Sequence, residues 1–424
     1  MSLVLSRHRF SYLFYIVVFR CLLEFSYVNI ISPKYAYMGF DLNFGIINYI
    51  ISWIVFFVAF LIVKDYAQKV SDYFFAIAFF FLIIPLAVLY GYDVDRSFFP
   101  LITVLCSIFI VNLITEVGGV SFKNLPTIKH GFKYVIVIST TFVAFLVVWY
   151  FISGVHYNLD LTQVYEYRSK NFELSSGGVL AYTNVWTYKI FNMTLFAIAL
   201  YFKRYFLVLL VFLVQVYFFA ASANKGVLFT PVMILGVWFY LRKTSSLLIL
   251  PIIFSVLILL TLFTFYVLGD GWASSLFSRR VFFVPAHLTY VYFDFFNLNP
   301  NVYWSNSVLS SFLNYPYDIS LTRVIGRSLG EENMSANNGF ISSGYAHAGL
   351  YGVFLYSLII GIILRFINDV TYKSIPLWFA VALTIIPLKK LLTSSDLLVT
   401  MLTHGFIVAI IIILFVRLRR NREV

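Results

Sequence analysis

The sequence predicts an all-α polytopic membrane protein with about twelve transmembrane helices and one large outer loop before the last three. Three observations predict it. The 424 residues are 61% hydrophobic and only 11% charged, and the mean hydropathy is +0.91, a composition outside the range of soluble globular chains. The apolar residues come in runs that suit a hydrocarbon core about 30 Å thick, which takes about 20 residues per helix. The 30 Lys and Arg residues outnumber 18 Asp and Glu and fall at alternate ends of those runs. That is the positive-inside pattern, so the net charge of +12 reads as topology and not as a nucleic-acid footprint.

The runs lie near 10–31, 42–63, 71–90, 98–117, 133–153, 178–201, 205–222, 226–242, 245–268, 340–364, 374–389 and 396–416. With Arg7 and Arg9 in the cytoplasm, Lys64, Lys69, Lys123, Lys129, Lys133, Lys203, Arg204, Arg242, Lys243, Arg365 and Lys373 fall on the same side. The tail RLRRNREV ends there as well, so both termini are expected inside. No small-residue cleavage site follows the first run, which therefore reads as a retained helix. Cys21 and Cys106 sit within apolar runs, so no disulfide framework or cysteine metal site is implied.

Residues 1–424 form a single membrane domain on this reading, with outer loops at 154–177 and 269–339. Function is sought there first. The second loop is too long for a structureless connection and is expected to carry helices. Its run RRVFFVPAHLTYVYFDFF predicts a helix that lies in the interface or folds back into the protein.

Charged groups at membrane depth are functional candidates by default, because they cost several kcal/mol (~2–4) unless paired or hydrated. Arg20 and Glu24 are spaced to neutralise each other on one helix face. Lys189, with Asn184 and Asn192 nearby, either faces an internal cavity or pairs with another helix. Lys225, in the small-residue turn ASANKG, is either a snorkelling lysine or, with helix N–H groups, a phosphate ligand. Arg279, Arg280, Arg323 and Arg327 are guanidinium forks suited to phosphate oxygens. Asp270, Asp294, Asp318, Glu331 and Glu332 of the same loop are the competing partners. Tyr157, Tyr165, Tyr167 and Arg168 mix aromatic faces with polar groups, as sugar sites do and as interfacial anchors do. Asp93 to Asp95 form a short DxD, a weak metal signal. No HExxH, Walker loop, CxxC or GxSxG pattern supports a zinc protease, ATPase or serine hydrolase.

The stretch RRVFFVPAHLTYVYFDFFNLNPNVYWSNS followed by SANNGFISSGYAHAGLYGVFLY resembles the O-antigen polymerases, which polymerise oligosaccharide repeat units for bacterial surface polysaccharides. The motif-bearing part covers roughly 220–352; the first half resembles the family only in hydropathy and topology. The resemblance implies a GT-C-like fold in the bacterial inner membrane, with the two loops in the periplasm. It implies an inverting glycosyltransferase that uses undecaprenyl-diphosphate-linked glycans as donor and acceptor, with no metal and no cofactor. A chain-length regulator is an implied partner, and membrane lipid the implied surroundings.

The related O-antigen ligases carry a basic residue in an outer small-residue turn, which matches Lys225. They carry a loop arginine, which matches Arg279 or Arg280, and a His-Asn pair before a GxxG helix start. Here that pair reads Asn337-Asn338, followed by Gly349 and Gly352, so the family histidine is not carried over.

A departing diphosphate needs cations more than a proton, and the acceptor hydroxyl benefits from a base. His347, His287, Glu331 and Glu332 are the candidate bases, and His347 also reads as a buried hydrogen-bonded histidine. Catalysis is thus expected from His347, Asn337 and Glu331, diphosphate binding from Lys225, Arg279, Arg280, Arg323 and Arg327, and substrate contacts from Asn338, Tyr167, Arg168 and Lys189. The rivals are an O-antigen ligase and a lipid-linked oligosaccharide flippase.

Overall fold

The computed structural model describes residues 7–117, 119, 121–160, 171 and 178–418. Among them the secondary structure is helical, with two isolated β-bridges, Asn43 to Asp93 and Tyr66 to Ser246, and no strand. Seven described helices are long and apolar enough to cross a membrane. They are α1 (Arg7–Met38), α3 (Val70–Gly91), α4 (Phe98–Val117), α5 (Gly131–Ile152), α7 (Tyr205–Ser222), α9 (Ile249–Leu268) and α12 (Phe340–Thr371).

The other predicted runs are helical but shorter or interrupted. They give α2 (Ile46–Phe60), α6 (179–201), α8 (Lys225–Leu241) and α13 (Leu377–Thr393). Gly405, at φ 72°, breaks the last run into α14 (Leu397–Met401) and α15 (Phe406–Val416). The 269–339 stretch contains two more helices, α10 (274–298) and α11 (Leu321–Ser328).

The chain divides into two compact units. The first comprises the described parts of 1–119, 246–365 and 389–397, and the second those of 120–245, 366–388 and 398–424.

In the first unit α3 is buried along its whole length, as expected of a helix apolar on every side. Phe80 and Phe81 of α3 meet Phe254 of α9 and Phe282 of α10, and Phe19 of α1 closes on Phe80, Phe254 and Phe282. α10 folds back along α9 after Gly269, whose φ of 68° makes the reversal. Ser274 Oγ donates to the Thr261 carbonyl at 3.1 Å, and Ser278 Oγ lies 3.1 Å from Thr261 Oγ1. The aromatic run of the 269–339 stretch is therefore a helix packed into the protein, one of its two expected placements.

Arg20 and Glu24 are both buried, and Arg20 Nε donates to Glu24 Oε1 at 2.8 Å. Ser52 takes the rest of the guanidinium, through its carbonyl at 3.0 Å and its Oγ at 2.6 Å. Tyr49 and Tyr92 hydroxyls donate to Glu24 Oε2. Each charge is thus paired and hydrogen-bonded, the condition for keeping it inside.

The second unit has its own aromatic core. Leu146, Tyr150, Tyr188, Phe218 and Phe219 are buried there, and Phe142 stacks on Phe191 at 4.4 Å. Gln215 of α7 donates to the Tyr188 and Val227 carbonyls and accepts from Asn192, a polar link among three helices in which the amide is fully used.

Candidate functional site

The site forms where α12 breaks. Ala348 (φ −152°, ψ 35°) and Gly349 (φ 57°, ψ −141°) are not helical, so α12 is two helices joined by a kink after His347. The second Gly349 angle pair belongs to a region open essentially to glycine alone. Gly344 and Gly352 let the two pieces touch, since a Cβ on Gly352 would lie 2.0 Å from the Gly344 carbonyl oxygen.

A helix that stops inside protein exposes its last carbonyls, which need donors. The segment 301–304 supplies them. Val302 N–H donates to the Ala346 carbonyl at 2.9 Å, Tyr303 N–H to the His347 carbonyl at 2.8 Å, and Asn301 Nδ2 to the Tyr345 carbonyl at 3.0 Å. Tyr303 and Trp304 reach this position with φ of 48° and 56°, a left-handed conformation that bulky side chains rarely adopt.

His347 is held on every side. Trp304 N–H donates to its Nδ1 at 3.2 Å, which fixes the proton on Nε2, and Nε2 faces Asp396 Oδ2 at 3.4 Å. Tyr356 OH donates to the same Oδ2 at 2.9 Å, and Trp304 Nε1 donates to Tyr356 OH at 2.7 Å. His347 is 2% exposed at its side chain and Asp396 18%. The carboxylate is therefore the more exposed member of the pair, and the imidazole orients it. Donors from two directions on one oxygen set the plane of the carboxylate. Such an arrangement can accept a proton from a substrate hydroxyl.

A second polar centre lies at the turn 92–97. Arg96 Nε is 3.0 Å from Asp93 Oδ2, its Nη2 donates to the Gly39 carbonyl at 2.6 Å, and its Nη1 lies 3.4 Å from His287 Nδ1. Burial first, and the Arg96 charge second, push the His287 pKa down to about 3. Burial raises the Asp93 pKa against the opposing pull of Arg96. Asp95 Oδ2 accepts from Asn43 Nδ2 at 2.9 Å. Both carboxylates of the DxD thus serve loop packing, and no cluster of three metal-ligating side chains occurs among the described residues.

The predicted cations are dispersed. Arg279 is half-buried, stacks over Tyr35 at 4.2 Å and donates to Ser275 Oγ at 3.0 Å, while Arg280 beside it is exposed. Among the described residues neither has a carboxylate within ion-pair distance. Burial lowers the Arg279 pKa, Tyr35 offsets part of this, and the Arg280 charge adds to it. The kink lies beyond the other end of α10, so Arg279 and His347 are separated by most of that helix, on the order of 25 Å along its axis. Arg279 and Arg280, expected to bind the diphosphate, thus lie apart from His347, the expected base.

Arg323 and Arg327 share a face of α11, both exposed, and Arg327 pairs with Asp318 at 3.3 Å. Glu331 is exposed, as is Asn337, whose amide bonds its own neighbour Ser335. Asn338 is buried, and its Nδ2 lies within 3.2 Å of the Pro285 carbonyl, Thr289 Oγ1 and Ser342 Oγ. It ties α12 to α10, a packing role in place of the expected substrate contact.

Lys225 and Lys189 belong to the second unit. Lys225 opens α8 behind Asn224, whose side chain accepts from Gly226 N–H at 3.1 Å. Lys189 lies in the π-helical turn Thr187–Phe191, its amine 5.7 Å from the Tyr188 ring centroid. Tyr167 and Arg168 lie outside the described residues.

Sequence reasoning missed Asp396, Tyr356 and Trp304. The signal for Asp396 was a lone acid in the apolar stretch KKLLTSSDLLVTM. No family model, curated protein or solved structure matches the chain.

Proposed function

We propose that the chain is an inner-membrane glycosyltransferase that polymerises undecaprenyl-diphosphate-linked repeat units at the periplasmic face, with inversion. The single observation that carries the reading is the His347 and Asp396 pair at a break in an apolar helix long enough to cross a membrane. Broken helices at membrane depth occur where backbone lines a polar cavity or substrate site. A positioned carboxylate there suits proton removal from an acceptor hydroxyl, and the diphosphate leaving group needs no acid. The twelve-span, GT-C-like plan with both termini cytoplasmic and a cavity beneath the 269–339 segment belongs to the same reading. A polymerase handles two lipid diphosphates, and only the donor's leaves. Arg279 and Arg280, distant from the kink and with no carboxylate within ion-pair distance among the described residues, suit the diphosphate that stays on the acceptor's carrier.

Deletion of the gene tests the reading against its rivals on a gel of surface polysaccharide. Loss of a polymerase leaves core bearing a single repeat unit. Core with no repeat attached would indicate a ligase, and repeats retained inside the cell a flippase; either result overturns the proposal.

A further inference from the structure

Tyr303 is the one exposed side chain of the segment 302–305. Val302 and Ser305 are buried and Trp304 lies against His347 and Tyr356, whereas Tyr303 is 53% exposed. Among the described residues its ring stacks on no other ring and its hydroxyl has no hydrogen-bond partner. The backbone beneath it is nonetheless left-handed, with φ 48° at Tyr303 and 56° at Trp304. Glycine adopts that conformation freely, and asparagine visits it more readily than an aromatic residue does. Trp304 gains a stack and two donated hydrogen bonds in return. The Tyr303 side chain gains nothing within the protein. Strain of this kind persists where the surroundings over-determine it, and it clusters at ligand sites.

The surroundings do over-determine it. Val302 N–H and Tyr303 N–H hold the Ala346 and His347 carbonyls, and Ser305 donates to the Val302 carbonyl from its N–H at 3.0 Å and its Oγ at 2.6 Å. Ser307 and Leu309 N–H groups donate to the Trp304 carbonyl at 3.0 and 3.1 Å. Tyr303 and Asp396 are thereby attached to one residue. Tyr303 N–H reaches the His347 carbonyl at 2.8 Å, and Asp396 Oδ2 lies 3.4 Å from His347 Nε2. The face of a pyranose that carries axial C–H groups is apolar and lies against an aromatic ring, while the equatorial hydroxyls stay at the rim for hydrogen bonds. Tyrosine offers a ring face and a polar tip together, with only two side-chain torsions to fix.

We propose that Tyr303 is the stacking platform for the acceptor sugar, the pyranose at the non-reducing end of the repeat unit whose hydroxyl gives its proton to Asp396. The assignment rests on the polymerase reading above. Tyr303 makes and breaks no bond. Its ring sets the plane of the sugar, and the carboxylate attached to the same histidine meets the hydroxyl at the sugar's edge. Selectivity follows, because a pyranose with an axial hydroxyl on the stacking face loses the contact.

The test uses the full chain in nanodiscs, with the oligosaccharide released by mild acid from the cell's own lipid-linked repeat unit as the binding probe. Tyr303→Asn suits the left-handed backbone and removes the ring; Tyr303→Gly does the same without a side chain, and Tyr303→Phe keeps the ring. Probe binding should weaken about tenfold in Tyr303→Asn and Tyr303→Gly and stay within about threefold of wild type in Tyr303→Phe. In polymer synthesis the KM for the lipid-linked unit should rise about tenfold in Tyr303→Asn with kcat within about threefold. The melting temperature of Tyr303→Asn should equal or exceed that of wild type, since the strain is relieved. Wild-type binding and KM in Tyr303→Asn overturn the assignment and leave the polymerase reading standing. A lower melting temperature with loss of kcat in both Tyr303→Asn and Tyr303→Gly also overturns it, by making the tyrosine a structural brace. A wild-type protein that neither binds the oligosaccharide nor elongates the lipid-linked unit sinks both.

Discussion

The indole of Trp304 lies flat on the imidazole of His347, with centroids 4.9 Å apart and planes 13° from parallel. The same residue donates its backbone N–H to His347 and its ring N–H to Tyr356. Trp304→Phe keeps the stack and loses the ring donor, so it should lower stability by about 1 kcal/mol. Trp304→Ala loses both and should cost about 3 kcal/mol. Melting curves of the purified variants check the order, and equal losses would contradict it.

Gly349→Ala places a side chain at φ 57°, ψ −141°, where the backbone conformation costs about 1–3 kcal/mol without glycine. Relief comes only from straightening the kink, which moves His347 off Asp396. The expected outcome is a lower melting temperature together with loss of polymer, whereas Gly236→Ala, inside a helix and with nothing within 4 Å of its added Cβ, should keep the polymer and leave the melting temperature equal or higher.

Arg20→Met leaves the Glu24 carboxylate buried without its cation and should destabilise by about 3–5 kcal/mol. Adding Glu24→Gln removes the orphaned charge, so the double variant should be more stable than Arg20→Met alone. A double-mutant cycle on thermal unfolding measures this; additive losses would contradict the pairing.

His287 titrates near 3 in the fold against an ordinary 6.5. The unfolded chain therefore takes up a proton below about pH 6.5 that the folded chain refuses, and stability falls as pH drops from there toward 3. The slope is about 1.4 kcal/mol per pH unit for one proton. Asp93 shifts upward and works in the opposite direction at the acidic end. Thermal melts between pH 7 and pH 4 should fall more steeply for wild type than for His287→Gln, and parallel curves would contradict the assignment.

The helical class and the positions of most helices were legible because hydrophobic run length and charge placement are local properties of the chain. The Arg20 and Glu24 pair was legible for the same reason, being four residues apart on one helix. The kink was not, because its cause is distributed: Gly349 permits it, Gly344 and Gly352 let the pieces meet, and the donors that satisfy it come from 301–304. His347 was singled out by residue type, but its partner Asp396 lies 49 residues away behind another helix. Asn338 looked like a substrate contact because it stands where the resemblance places the asparagine of a His-Asn pair; its burial against Pro285 and Thr289 depends on tertiary packing that no spacing rule conveys.

The most direct test is polymer synthesis by purified Asp396→Asn and wild type, supplied with one lipid-diphosphate-linked repeat unit and no nucleotide sugar. Asparagine preserves the shape and the contact to Tyr356 but accepts no proton. The account predicts a ladder of polymer from wild type and a drop of about 100-fold or more in Asp396→Asn at unchanged melting temperature. A wild-type ladder from Asp396→Asn would contradict it.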